Sequence, residues 1–392
     1  MTLGPGDPAD DAVDADDADD ATHERDALVA AGLYDPAAAD AAARLALLDY
    51  LLGLGLSIPE LVQASLEQRI LSVAALNRLR PGGVRLTLSE VATQAGVDED
   101  TAQRLWRAAG FADARRHERR FSVRDVEMLA VFGELSALVG FERIVQLVRI
   151  TGTATASMAE AETALLRSSI EAPLVDSQDY VEIARSYVGI VTELLPRLSA
   201  AIDTLHRHHL DSIGRRYSDA GAPPSVTNTV DLAIGFADLA GYTSLSGRLD
   251  TDGLVEMIDA FESTAFDLVA ASGASVVKRM GDAVMFMTPA PGVACDLALD
   301  LVDATTRDTR LPPLRVGLAF GPVIVRGGDV YGPFVNLASR LCATASPGAI
   351  VVSAAIEGRL RVLTDRYRFA GPDRLTLAGF AEVVPGYGVT RA

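Results

Sequence analysis

The sequence predicts an α+β protein in two parts, an all-helical N-terminal half followed by a half in which strands and helices alternate. Three observations predict it. From Ala37 to about Leu210 apolar residues recur at three- and four-residue spacing, as in Leu45, Leu48, Leu51 and Leu52, and again in Leu129, Phe132, Leu135 and Leu138. That period is the apolar stripe of a helix. The segment Asp219-Ala-Gly-Ala-Pro-Pro-Ser225 then breaks the pattern. Beyond it, short apolar runs alternate with helical patterns, the order expected of a sheet with helical cover.

The boundaries that follow are an acidic, solvated tail at 1–36, a helical domain at 37–198, a connecting helix and linker at 199–221, and a mixed domain at 222–392. Residues 1–27 hold nine Asp and one Glu against one Arg, with little to bury. Breaks in the helical half fall at Gly53-Gly55, Pro59, Pro81-Gly-Gly83, Gly140 and Pro173, giving short helix-to-helix connections. Inside it, Leu86 to Trp106 reads as a helix-turn-helix, with Ser89 and Asp98 as caps and Gly96 in the left-handed turn. Arg104, Arg107, Arg115, Arg116, Arg119 and Arg120 lie in or after it. Asp98, Glu99 and Asp100 stand where a recognition helix would meet phosphate, so the segment is read as a way to pack two helices and nucleic acid is not expected as a partner.

In the mixed half a strand is expected at Asp231–Asp238, a helix at Gly253–Ala271, a hairpin at Ala274–Thr288 and a helix at Gly292–Thr305. A strand at Leu314–Phe320 is followed by an extended piece at Val323–Arg326, a helix at Phe334–Ala343, a strand at Ile350–Ser353 and a short terminal region.

The net charge of −18 argues against a general nucleic-acid binder. The chain carries Cys295 and Cys342 alone, both in apolar helical settings, which suits buried hydrophobes in a reducing compartment. No apolar run has the length of a membrane span, and the N-terminus lacks the pattern of a signal peptide, so a cytoplasmic protein without a membrane partner is expected.

Chemistry concentrates in three stretches. Ile234 to Thr243 is an apolar strand that delivers one carboxylate, Asp238, at its end. Val276 to Phe286 is two apolar runs joined at Gly281-Asp282, a hairpin with an acid at its tip. Carboxylates at a strand end and a hairpin tip can converge, and hard oxygen ligands of this kind suit Mg²⁺ or Mn²⁺ beside phosphates. In Gly327 to Arg340, Asn336 and Arg340 stand at i,i+4 on one helix face.

In order and spacing these stretches resemble the catalytic domain of the class III nucleotide cyclases over roughly Asp231 to Ser353. The resemblance implies a ferredoxin-like, palm-like sheet for the mixed half, now the catalytic domain at 222–392. It implies Asp238 and Asp282 as ligands of two divalent cations, Mg²⁺ or Mn²⁺. Lys278 and Asp329 would select the base, and Asn336 and Arg340 would act on the transition state. Tyr242 stands where the family usually has Phe, and Arg279-Met280 where Thr-Ile is commoner. It further implies ATP as substrate, cyclic AMP and pyrophosphate as products, and sites shared across a homodimer. The helical half resembles, in layout only, the regulatory domain that precedes the catalytic domain in some soluble bacterial holoenzymes.

His206, His208 and His209 fall in the connecting helix, where side chains that change charge in the physiological range could make activity pH-responsive. Asp203 and Asp211, each three residues from a histidine, would attract the protonated forms. Two other readings are set against this one. One is a catalytically silent nucleotide-binding regulator that uses the helix-turn-helix on DNA; the other is a cyclic-dinucleotide synthase, whose acidic glycine-rich signature the sequence lacks.

Overall fold

The computed structural model describes residues 23–79, 85–219 and 229–392. It divides into a unit ending at Arg207 and a unit beginning at His208.

The first unit is helical. Helix α1 covers 23–30, followed by α2 (Ala41–Gly53), α3 (Ile58–Leu66) and α4 (Val73–Leu79). Leu28, Leu47, Leu48, Leu51 and Leu61 are fully buried in one core, which Ala184 joins from a later helix. The expectation of a solvated tail through residue 36 therefore fails at its C-terminal end. Leu28 and Leu33 are apolar enough to join the core despite their acidic neighbours. Residues 1–22 lie outside the described residues.

A second core is built from α5 (Leu88–Ala95), α6 (Glu99–Ala108), α7 (Val123–Val139) and α8 (Phe141–Leu166) around Val91, Leu105, Phe121 and Leu129. The helix-turn-helix is present. Gly96 takes φ 71°, a left-handed turn that its lack of a Cβ leaves unstrained, and Asp98 caps α6 by accepting from the Thr101 amide at 2.8 Å. The cap of α5 is Thr87, two residues before the Ser89 expected. Its hydroxyl and the Glu90 carboxylate close a capping box, and Leu86 pairs with Phe121 in an isolated antiparallel bridge. The apolar stripe on α7 holds at Leu129 and fails at Leu138, which is 79% exposed.

A π-helical turn (Arg167–Glu171) leads from α8 into α9 (Ala172–Asp176). Helix α10 (Tyr180–Gly189) continues through a second π turn (Ile190–Leu194) into α11 (Leu195–Asp219), so the connecting helix starts earlier than the sequence suggests. The linker expected to follow it falls mostly outside the described residues.

The second unit is organised by a mixed sheet. Its strands are β1 (Thr229–Leu239), β2 (Ser275–Arg279), β3 (Ala283–Thr288), β4 (Leu314–Arg326), β5 (Asp329–Tyr331), β6 (Ile350–Ser353), β7 (Tyr367–Leu375) and β8 (Val384–Arg391). Helix α12 (Tyr242–Ser246) and α13 (Thr251–Ala271) follow β1, α14 (Pro291–Arg307) follows β3, α15 (Pro333–Thr344) follows β5 and α16 (Ala354–Leu363) follows β6. The order is β2-β3-β1-β4-β6-β8-β7, with β5 hairpinned onto β4. The first four strands give the ferredoxin-like order 4-1-3-2, with crossovers through α12–α13 and α14.

Alternation along the strands sorts side chains onto two faces. Ala233, Ala237, Val316 and Leu318 meet α13 and α14 on one face, in a core with Phe261 and Phe286. Ile234, Met285 and Ala319 meet Leu337, Ala338 and Leu341 of α15 on the other. The expected extended piece at Val323–Arg326 is the far end of β4. The expected short terminal region is in fact α16 and the β7–β8 hairpin, whose strands extend the sheet.

Candidate active site

Asp238 ends β1 on the face that also carries Ile234 and Phe236. Its register partners are Ala283 of β3 and Arg315 of β4. The Leu239 amide donates to the Asp282 carbonyl at 3.1 Å, which brings the hairpin tip to the end of β1. Gly281 makes that tip possible at φ 67°. Both aspartates are half-buried. Burial raises the Asp282 carboxyl above its ordinary value, and the negative charge of Asp238 raises it further, while the Arg315 guanidinium opposes the shift. Two coupled carboxylates with a cation beside them form a hard-oxygen donor set that fits a divalent metal ion.

Arg315 was not singled out from the sequence. Its Nε and Nη2 donate to Asp238 Oδ2 at 2.6 and 2.5 Å. The available signal was a lone basic residue at the start of an apolar strand, which reads equally well as a strand-end solubiliser.

Lys278 and Asp329 meet directly, with Nζ donating to Oδ2 at 2.6 Å. Asp329 Oδ1 accepts from the Val330 amide at 2.8 Å, which fixes the carboxylate plane and turns Oδ2 to the lysine. The neighbouring Arg279 is turned to the other side of β2, where it donates to Glu262 of α13 at 2.5 Å.

Asn336 and Arg340 occupy the outer side of α15. Both are exposed, whereas Leu337, Ala338, Leu341 and Cys342 are buried toward the sheet. Neither side chain has a hydrogen-bond or ion-pair partner among the described residues. The structure thus brings together Asp238 with Asp282, and Lys278 with Asp329, and leaves Asn336 and Arg340 facing outward.

His206, His208 and His209 are exposed on α11. The aspartates expected to attract them are held elsewhere: Asp203 by Arg207 at 2.7 Å and Asp211 by Arg215 at 2.9 Å. An arginine at i+4 outcompetes a histidine at i+3 because its charge is permanent and its donors reach further. In the helix-turn-helix Arg104 pairs with Glu142, Arg107 with Asp113 and Arg119 with Glu90, while Arg120 lies over Trp106. No helix among the described residues is long and apolar enough to cross a membrane.

Comparison with known proteins matches each half of the chain to a family. The adenylate and guanylate cyclase catalytic domain matches residues 225–388, and the adenylate cyclase regulatory domain matches residues 21–213. An adenylate cyclase of Streptomyces coelicolor is 36% identical over 70% of this chain and 72% of that one. An uncharacterized protein of Mycobacterium tuberculosis is 36% identical over 91% of both chains. A pH-sensitive adenylate cyclase of the same species is 27% identical over 85% of both. Among solved structures, the adenylyl cyclase CyaB from P. aeruginosa is 20% identical over 42% of this chain and 95% of that one, with a TM-score of 0.38. The chain belongs to the class III adenylate cyclases that carry an N-terminal helical regulatory domain.

Proposed function

We propose that the chain converts ATP to 3′,5′-cyclic AMP and pyrophosphate at two equivalent sites shared across a homodimer. In this reaction the ribose 3′-hydroxyl gives up its proton and its oxygen forms a bond to the α-phosphorus, the bond from that phosphorus to the α,β-bridging oxygen breaks, and pyrophosphate leaves with that electron pair. Asp238 and Asp282 would hold two divalent cations, Mg²⁺ or Mn²⁺, which when bound acidify the hydroxyl and neutralise the leaving group. Arg340 would meet the charge growing on the α-phosphoryl oxygens and Asn336 would orient the ribose. Lys278 would donate to adenine N1 while Asp329 accepts from the 6-amino group. Guanine presents the opposite pattern at both atoms, so the pair favours ATP.

The observation that carries the shared site is the outward aim of α15. Asn336 and Arg340 point away from the sheet on which their own chain's carboxylates sit, so a second copy is the natural source of the missing half. Mixing two inactive full-length variants, Asp238→Ala and Lys278→Ala, tests it. Half of randomly formed dimers then hold one intact site, and about a quarter of wild-type activity should return. Mixed dimers without activity would overturn the shared site.

The helical domain at 37–198, joined by α11 to the catalytic domain at 222–392, would set the activity of that dimer. A pH response through His206, His208 and His209 is the further reading. What supports it is their grouping on α11, with His209 lining a cavity of about 470 Å³ among Val230, Phe266, Val276 and Met287. In this reading the protonated arrangement is the active one.

A further inference from the structure

We infer that Gly317 and Gly321 of β4 are positioning residues for Asn336 and Arg340, because they set how far α15 stands off the sheet. The inference rests on the shared-site reading above. Strand alternation turns both glycines to the α15 face, the one opposite to Val316 and Leu318. A Cβ on Gly317 would lie 2.1 Å from the Cys342 amide nitrogen, 2.3 Å from the Ala338 carbonyl oxygen and 2.7 Å from the Cys342 Cα. All three atoms are helix backbone, so no rotamer change relieves the clash. A Cβ on Gly321 would lie 2.5 to 2.6 Å from the Phe334 ring, one turn nearer the helix N-terminus.

The helix is thus seated at two heights. One seat lies under Ala338–Cys342, the turn that presents Arg340; the other lies under Phe334, two residues before Asn336. The Cys342 thiol also reaches the Arg315 carbonyl at 3.4 Å, so the same strand carries the cation on Asp238 and the seat of α15. A packed interface transmits a displacement instead of absorbing it. A methyl group at Gly317 lifts the outer face of α15 by an ångström or so, and misplacement on that scale costs roughly a hundredfold in rate. Lys278 and Asp329 stand on β2 and β5, off this seat, and keep their hold on the base.

The test uses full-length chains. Gly317→Ala should lower kcat by roughly tenfold to a hundredfold, with KM for ATP changed less than about threefold. Gly321→Ala should cost less, because a ring can turn aside, and Phe334→Ala in the same chain should restore its rate. Complementation then locates the defect. Mixed with Asp238→Ala, the Gly317→Ala chain should recover about a quarter of wild-type activity, since its carboxylates meet an undisturbed α15. Mixed with Asn336→Ala it should recover none.

A wild-type kcat for Gly317→Ala, or recovery with Asn336→Ala and not with Asp238→Ala, would overturn the inference. If Gly317→Ala does not fold, the Gly321 series decides: loss without rescue by Phe334→Ala overturns it. The control mixture of Asp238→Ala with Asn336→Ala separates the two levels. Its failure removes the shared site, and the kcat and KM split alone then judges the glycines.

Discussion

The helix-turn-helix and the candidate active site use their charged residues in opposite ways. Around the helix-turn-helix each engaged arginine is closed onto a nearby acid or ring: Arg104 onto Glu142, Arg107 onto Asp113, Arg119 onto Glu90, and Arg120 over Trp106. At the candidate site Asn336 and Arg340 stand exposed with no partner among the described residues, and Asp282 is held half-buried beside a second carboxylate. Paired charge serves the fold; charge left open or set against like charge is available to a substrate. The pairs Lys278–Asp329 and Arg315–Asp238 stand between these cases, since a nucleotide and its cations can take over the partners of each.

The sharpest way to break this contrast is to delete one charge from each side. Asp282→Ala should lower turnover by more than about a thousandfold while the thermal midpoint in metal-free buffer moves by only a few degrees. Arg107→Ala should do the reverse, leaving turnover within about twofold and costing a small amount of stability. A large loss of midpoint for Asp282→Ala would make that carboxylate structural and end the comparison.

The base pair gives the next largest effect. Asp329 accepts only, whereas an amide can also donate. Asp329→Asn should therefore shift the ATP-to-GTP ratio of kcat/KM toward GTP by roughly tenfold to a hundredfold. An unchanged ratio would mean that Asp329 does not read the 6-position.

Acid stability sharpens the structural side. The Thr87 backbone and hydroxyl and Arg119 hold the Glu90 carboxyl below its ordinary value despite partial desolvation. Hydrogen bonds from Thr101 lower Asp98 in the same way. A depressed folded value means that the stabilisation is fully present above the ordinary carboxylate range and is lost as pH falls through the lowered values. Glu90→Gln should lower the midpoint of the helical half by roughly 2–4 °C at neutral pH, with the gap to wild type closing below about pH 4. A gap independent of pH would assign the effect to packing instead of charge.

How much of this was legible in the sequence follows from range. Asp238 and Asp282 were singled out because their strands and turns are written locally, in apolar runs ended by glycine, and Lys278 and Asp329 only through the resemblance that those stretches carry. The Thr87 cap was misread as Ser89 because both residues can cap and only the bridge between Leu86 and Phe121 decides where α5 starts. Leu28 and Leu33 were assigned to a solvated tail because their neighbours are acidic, and burial depends on a core assembled from distant helices. Arg315 and the glycines of β4 were passed over for the same reason. Their partners, Asp238 and the backbone of α15, lie far along the chain, and no spacing rule points to them.

The smallest expected effect belongs to the connecting helix, and it asks whether the histidines of α11 belong with the paired charges or with the open ones. Arg207 and Arg215 already occupy Asp203 and Asp211, so protonation of His206 and His208 gains little attraction. What remains is mutual repulsion between His206 and His209, three residues apart on α11. That repulsion disfavours the arrangement described here as pH falls, and so favours another placement of α11. Full-length wild type should therefore turn over faster near pH 6 than near pH 8, relative to a variant in which His206, His208 and His209 are all glutamine. Because the side chains are exposed and the repulsion is screened, the two ratios should differ by only about twofold to threefold. Thermal midpoints measured beside the rates separate a shift between arrangements from a change in stability. Identical pH 6 to pH 8 ratios in the two proteins would place the histidines with the paired charges, as part of a solvated helix face.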